Sequence, residues 1–509
     1  MTSQDQAKHS YGQILRSSAL IGGASAINVA IGILRTKAIA LLLGPSGLGV
    51  MSLYGSIADL ATSIAGIGVQ SSGVRQIAAA VGSGDEERVS ETAFVLRRTA
   101  LVLGVAGAAL LFAFQRQVSA LTFGSESYAT DVGLLSLVVL FSSIYGGQVA
   151  LIQGKRRIGD LARIGVTGSL LGLVVGVGLV YLLRENGIVP ALVGIAAMTC
   201  FASWWYSRRV VTLQVSMSAS RVYYEARALL KLGVAFMASG LLTMGAAYAI
   251  RSIVTRWLGV EAAGLYQCAW ALGGLYVGFV LQSMGADFYP RLTAAAHDDT
   301  ECNRLVNEQA HISLLLAAPG IVATLVFAPV VIELFYSSRF DGAIPIVRWF
   351  CLGMILRVVA WPMGFIILAK GWQVIFLWTE VAAALVHVGL AFFLVPRFGP
   401  AAAGAAFFGL YVWHSLVIYL LVRSLSGFRW SAANQRAGAV LLPMAGGVAA
   451  ALFLLPHWST TALGGLAAVV IGIFSLRRLL GLVPDRINPG LRTWLVRVGL
   501  APVIKSGAD

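Results

Sequence analysis

The chain has 509 residues, of which 58% are hydrophobic and only 12% are charged, and its mean hydropathy is +0.82. A soluble chain carries about 25% charged residues, so this one lacks the polar surface to sit in water. Its net charge of +15 does not argue for a nucleic-acid partner, because Lys and Arg in so apolar a chain gather in cytoplasmic loops facing anionic lipid.

The first 16 residues are polar. The apolar run that follows is too long for the h-region of a signal peptide and reads as a retained membrane helix. Fourteen such helices are expected, near 17–43, 47–78, 92–114, 132–153, 161–183, 188–207, 231–257, 261–290, 308–331, 345–369, 373–395, 400–422, 437–456 and 459–482. Runs this long, rich in Gly, Ala and Leu, show no period-two alternation, so no all-β architecture fits. With the N-terminus in the cytoplasm, 27 of the 37 Lys and Arg fall on cytoplasmic segments. Six, among them Arg348, fall in outer loops, and Arg35, Lys37, Arg251 and Arg357 fall inside spans. That asymmetry places both termini in the cytoplasm. Cys200, Cys268, Cys302 and Cys351 form no CxxC pair and read as small buried hydrophobes.

The two halves of the chain repeat each other at an offset of 215 residues. Gly44 and Gly49 in Leu43-Gly44-Pro45-Ser46-Gly47-Leu48-Gly49 pair with Gly259 and Gly264 in Leu258-Gly259-Val260-Glu261-Ala262-Ala263-Gly264. The same offset pairs Gln76–Ala80 with Arg291–Ala295, and Ile152 and Lys155 with Ile367 and Lys370. The period holds six spans, so both repeats enter the membrane from the same side, as in parallel-repeat transporters. The expected organisation is a cytoplasmic tail (1–16), a six-helix lobe (17–207), a linker (208–230), a second six-helix lobe (231–422), two further helices (423–482) and a cytoplasmic tail (483–509). Gly168, Gly172 and Gly176 make one small helix face, best read as a packing surface. Pro362 lies mid-helix, where it can kink its span.

Charges inside spans are the strongest functional signal, since each is costly unless paired or solvated. Arg357 lies about 18 Å from either end of its span at 1.5 Å per residue, too deep to snorkel easily, and is expected to face an aqueous cavity. Arg35, Lys37 and Arg251 sit at about 9–13 Å depth, where a cavity role competes with snorkelling. Asp59, Glu380 and His387 are the candidates for ion coupling. Glu380 and His387 are seven residues apart, roughly on one helical face, and a salt bridge from Glu380 to Arg357 or Lys370 is the structural alternative. Asp287 and Arg291 read as a local ion pair. Several cations suit an anionic headgroup such as a pyrophosphate bearing sugars, whereas a cationic drug favours acidic lining. No Walker A pattern, HExxH or GxSxG is present, so no enzymatic centre, metal site or cofactor is expected.

Over residues 15–422 the chain resembles the Wzx-type flippases of lipid-linked oligosaccharides, in the MOP superfamily shared with multidrug (MATE) exporters and lipid II flippases. The resemblance rests on Lys37 leading into Gly44–Gly49, on Phe288-Tyr289-Pro290-Arg291-Leu292, and on the run from Arg357 through Gly364-Phe365-Ile366-Ile367-Leu368-Ala369-Lys370 to Glu380. It implies an all-α integral membrane fold of two six-helix lobes in a V around a cationic cavity, here with two extra C-terminal helices. It implies transport of an undecaprenyl-pyrophosphate-linked glycan, such as an O-antigen or exopolysaccharide unit, across the bacterial inner membrane. A polysaccharide polymerase or co-polymerase is the candidate protein partner. Lys37, Arg357 and Glu380 carry over by position, while Arg35, Arg251 and Asp59 rest on the burial argument alone. The rivals are a MATE-like antiporter, a lipid II flippase, and a membrane glycosyltransferase, polymerase or ligase. The enzyme needs an acid or base pair in a large outer loop, and the longest outer loop expected, 115–131, holds no convincing one.

Overall fold

The computed structural model describes residues 3–210, 215, 217–454 and 457–482. Among these the regular elements are helices, with no strand. They are α1 (Ser3–Gly66), α2 (Val69–Gly82), α3 (Glu86–Ala113), α4 (Gln115–Phe123), α5 (Ala129–Leu134), α6 (Ser136–Gly154), α7 (Ile158–Leu183) and α8 (Ile188–Ser207). Then follow α9 (Ala219–Ala294), α10 (Asp299–Val326), α11 (Ala328–Phe335), α12 (Ile344–Ala369), α13 (Gln373–Phe398), α14 (Ala401–Ser426), α15 (Ala432–Leu454) and α16 (His457–Leu482).

Ten stretches among the described residues are long and apolar enough to cross a membrane. Two of them, Gly23–Gly66 and Ile158–Ser207, run to 44 and 50 residues, room for two crossings each at about 20 residues per crossing. Helix α9, at 76 residues, is long enough for two more. This is the all-helical, multi-pass architecture expected from sequence. Large apolar side chains such as Val174, Leu182, Phe393 and Leu463 stand exposed on the helices, as a lipid-facing surface requires.

Local chemistry sets the helix ends. Asp85 caps α3 by accepting from the Arg88 N–H at 2.9 Å, and Glu86 and Glu87 complement the helix dipole in its first turn. Asp298 caps α10 in the same way, accepting from Thr300 and Glu301. Helix α1 bends at Gly44 (φ 68°, ψ −168°) and α9 at Gly259 (φ 86°, ψ 172°). These are paired positions of the 215-residue repeat, and they adopt nearly the same left-handed conformation, which glycine alone enters without strain.

Two local expectations change, at Ile67–Gly68 and at Arg348. The span read as continuous over 47–78 is interrupted at Ile67 and Gly68, both at positive φ (44° and 62°). Pro362 lies inside helix α12, as its mid-span position implied. Arg348, read as a loop residue, lies inside α12, only 5% exposed, and donates from Nη1 to the Leu452 carbonyl of α15 at 3.3 Å. The Asp287 side chain and the segment 483–509 lie outside the described residues.

The described residues fall into two compact units. One comprises the chain up to Gly264 together with Phe335–Ser337, and the other comprises Leu265–Leu334 and the chain from Ser338 onward. In the first unit, Gly168 and Gly176 abut Thr199 and Ile195 of α8, so the glycine face is a packing surface. The first limb of α9 is fastened along this unit. Arg221 pairs with Glu91 at 2.8 Å, Gly233 meets the interruption at Ile67–Gly68, and the Tyr248 and Thr122 hydroxyls are 2.6 Å apart.

In the second unit, Tyr266, Trp270, Phe350 and Phe407 form an aromatic core. Helices α15 and α16 pack on α10. An asparagine ladder holds the entry to α15: Asn303 bonds the Ser426 carbonyl at 2.7 Å, and Asn307 accepts from the Ser431 N–H at 2.7 Å. Asn434 bonds the Asn307 carbonyl at 2.8 Å.

Candidate functional site

Helix α1 stops at Gly66 and α2 starts at Val69, inside the stretch 47–78 that the sequence presents as one span. Ile67 is β-branched at φ 44°, a conformation that costs about 1–3 kcal/mol and persists only where surroundings impose it. The N-cap residue Gly68 offers no side-chain cap to α2. Backbone groups freed at such a break need polar company, so non-helical backbone at membrane depth is tolerated where it lines a cavity.

A cavity of 480 Å³ opens there, lined by the end of α1, the start of α2, α3, α6 and the first limb of α9, all within the first unit. Its polar lining includes Asp59 and Thr62 from α1, Gln70 and Ser71 from α2, and Ser143 and Tyr145 from α6. Asp59 is exposed to this space. Ser143 is 92% buried, and its Oγ has no hydrogen-bond partner.

Asp59 has a cation nearby. Arg251, half-buried on α9, acts electrostatically on its carboxylate and donates from Nη1 to Ser56 Oγ at 3.1 Å. Sequence reasoning named Asp59 and Arg251 separately, and the fold brings them together. Arg35 takes another direction: its Nη1 lies 3.8 Å from where a Cβ on Gly172 would stand, against the glycine face of α7. Lys37 is half-buried and engaged. None of Arg35, Lys37, Arg251 and Arg357 is among the described lining residues of this cavity.

The second unit gathers a second polar group. Arg357, half-buried in α12, stands over the Tyr411 ring at 6.0 Å and acts on Glu380 of α13 and His414 of α14. Arg357 and Glu380 make no direct ion pair among the described residues. Lys370, the other partner considered for Glu380, binds Asp299 at 2.5 Å and the Ala296 carbonyl at 2.9 Å instead. His387 is buried against Phe407, with centroids 5.7 Å apart and Nε2 unpartnered.

Sequence reasoning missed Ser143, Tyr145, Gln70, Tyr411 and His414. The polar doublets Thr62-Ser63, Ser71-Ser72 and Ser142-Ser143 inside apolar spans were a legible signal for the first cavity. Tyr411 and His414 left no such trace, because only helix packing relates them to Arg357.

A family model described as a polysaccharide biosynthesis protein matches residues 38–345, more than half of the chain. A lipid III flippase of Escherichia coli (strain K12) is 23% identical over 412 residues, covering 78% of this chain and 95% of that protein. Among solved structures, an inward-facing multidrug resistance MATE family transporter of the MOP superfamily superposes with a TM-score of 0.66 at 17% identity, covering 79% of this chain and 94% of that one. The lipid II flippase MurJ in an inward closed conformation superposes with a TM-score of 0.64 at 13% identity, covering 91% and 100%. With its bent repeat helices and cavity-lining helix break, the chain belongs to the polysaccharide biosynthesis protein family and has the MOP superfamily fold.

Proposed function

We propose that this protein is a flippase that moves a polyprenyl-pyrophosphate-linked oligosaccharide from the cytoplasmic to the periplasmic leaflet of the bacterial inner membrane, for cell-surface polysaccharide synthesis. The observation that carries this reading is the 480 Å³ cavity at the helix break after Gly66, lined by polar side chains. A sugar-pyrophosphate head cannot cross hydrocarbon unaided, since unpaired polar groups are costly there. A polar route removes that barrier while the polyprenyl tail stays in lipid. The lipid III flippase, a relative over most of the chain, supports the substrate class.

In this reading Arg35, Lys37, Arg251 and Arg357 contact the pyrophosphate along its route. Asp59, Glu380 or His387 couples movement to an ion. The repeats, as lobes 17–207 and 231–422, supply the two halves that alternating access needs. The Lys and Arg distribution supports cytoplasmic termini. No bond is made or broken in the substrate. One observation favours a second reading: the Asp59 carboxylate lines the cavity, as a cation antiporter of the same fold would require.

The test is flipping of a polyprenyl-pyrophosphate oligosaccharide in proteoliposomes, comparing wild type with Arg357→Ala. Protein-dependent flipping lost in the variant supports both the function and the pyrophosphate contact. Flipping that survives keeps the function and removes that role from Arg357. Transport of a cationic drug without flipping favours the antiporter.

A further inference from the structure

We infer that the cavity of the first unit is a subsite for the uncharged sugar part of the lipid-linked substrate, and not for its pyrophosphate; the inference rests on the flippase reading and deepens it. Among the described lining residues Asp59 is the one charged side chain, and no Lys or Arg faces the space. An anionic phosphate there meets a carboxylate of its own sign, and Arg251 beside Asp59 offsets that charge without lining the cavity.

What the walls offer instead is matched donors and acceptors. Thr62, Ser71 and Ser143 bring hydroxyls, Gln70 a carboxamide, Asp59 a pure acceptor and Tyr145 a phenol with an aromatic face. Sugar hydroxyls both donate and accept, so such a lining can saturate them where a set of cations cannot. None of these six side chains is hydrogen-bonded to another protein group among the described residues, and Ser143 is held 92% buried with its Oγ free. Asp59, Gln70 and Ser71 stand exposed and open to a ligand, and a buried hydroxyl such as that of Ser143 is costly unless water or a ligand meets it.

The walls also leave room. Gly66 and Gly240 line the space, and a Cβ added at Gly66 would meet nothing within 4 Å and one at Gly240 only Ser63 Oγ at 4.0 Å. At 480 Å³ the cavity far exceeds what one ion needs and lies within the roughly 300–1,000 Å³ of small-molecule pockets.

The test uses the full chain in proteoliposomes with Ser142→Cys as a reporter on the cavity wall, in a Cys200→Ser background because the other three native cysteines are buried. Ser71→Cys, on the opposite helix, serves if the first reporter does not fold. Labelling by a water-soluble maleimide is followed with no lipid substrate, with bare polyprenyl pyrophosphate, and with polyprenyl-pyrophosphate oligosaccharide. The expected result is at least threefold slower labelling with the oligosaccharide lipid and no change with the bare lipid. Equal protection by both lipids overturns the assignment, because the shared pyrophosphate would then fill the space. Flipping of the oligosaccharide lipid with no protection by either also overturns it and leaves a merely hydrated cavity. Protection by the oligosaccharide lipid alone, in vesicles that flip nothing, upholds the sugar subsite and removes the flippase reading.

Discussion

Gly49 and Gly264 interlock. A Cβ on Gly49 would stand 1.9 Å from the Val260 carbonyl oxygen, and a Cβ on Gly264 would stand 1.9 Å from that of Pro45. Pro45 and Val260 are themselves paired by the 215-residue offset, so the two repeats meet through one contact made twice. Backbone cannot rotate out of the way as a side chain can. Gly49→Ala or Gly264→Ala is therefore expected to cost about 1–3 kcal/mol and to lower the melting temperature in detergent by several degrees. Gly55→Ala, where an added Cβ meets nothing within 4 Å, is the control and leaves it unchanged. An unchanged melting temperature in Gly49→Ala would show that the crossing readily yields.

Asp59 and Arg251 are predicted to be energetically coupled. Arg251→Gln leaves the Asp59 carboxylate without its cation and lowers thermal stability. Adding Asp59→Asn recovers much of the loss, with a coupling of about 1 kcal/mol in a double-mutant cycle. Strictly additive losses would mean that Arg251 acts through Ser56 and its other contacts alone.

Arg357 and the Tyr411 ring make a prediction about rate. Arg357→Ala is expected to reduce the initial flipping rate at least tenfold. Tyr411→Phe, which keeps the ring under the guanidinium, stays within about twofold of wild type, since a cation–π contact does not need the hydroxyl. Tyr411→Leu removes the ring and falls between the two. A Tyr411→Phe variant as slow as Arg357→Ala would shift the role to the phenol oxygen.

The asparagine ladder predicts a local unfolding event. Asn307 accepts from Ser431 and Asn434 and donates to the Asn303 and Arg429 carbonyls. Asn307→Ala removes all four bonds and strands partners that are only partly exposed, at about 1–3 kcal/mol for each group left unsatisfied. Trypsin cleavage at Arg429 or Arg436 should then run at least fivefold faster than in wild type. Equal cleavage rates would place the hold on α15 elsewhere, with the Arg348 bond to Leu452 next to be tested.

Much of the fold was legible in the linear sequence because membrane helices are declared by apolar length. The repeat was legible because glycine is required at a bend, and Gly44 and Gly259 do bend in matching ways. The interruption at Ile67–Gly68 was missed because Gly66 and Gly68 are two among many glycines in apolar runs, and the β-branched Ile67 between them carries no turn signal of its own. Arg348 was counted with the outer loop although it already lay inside the span read from 345, because a cation in the first turn of a span reads as loop-facing, and the structure instead buries it against α15. In the candidate site, burial arithmetic found the charges but not their neighbours. Asp59 lies 192 positions before Arg251, and Arg357 lies 54 before Tyr411, and nothing local in the chain encodes either meeting.

The interruption at Ile67–Gly68 restricts how the protein can move. The carbonyls that close α1 and the amides that open α2 need water, protein or substrate around them at every stage, because hydrocarbon offers none. The helix pair cannot roll about its long axis far enough to turn this joint toward lipid. In the flippase reading proposed above, the joint therefore acts as a pin that stays turned toward polar surroundings throughout the cycle.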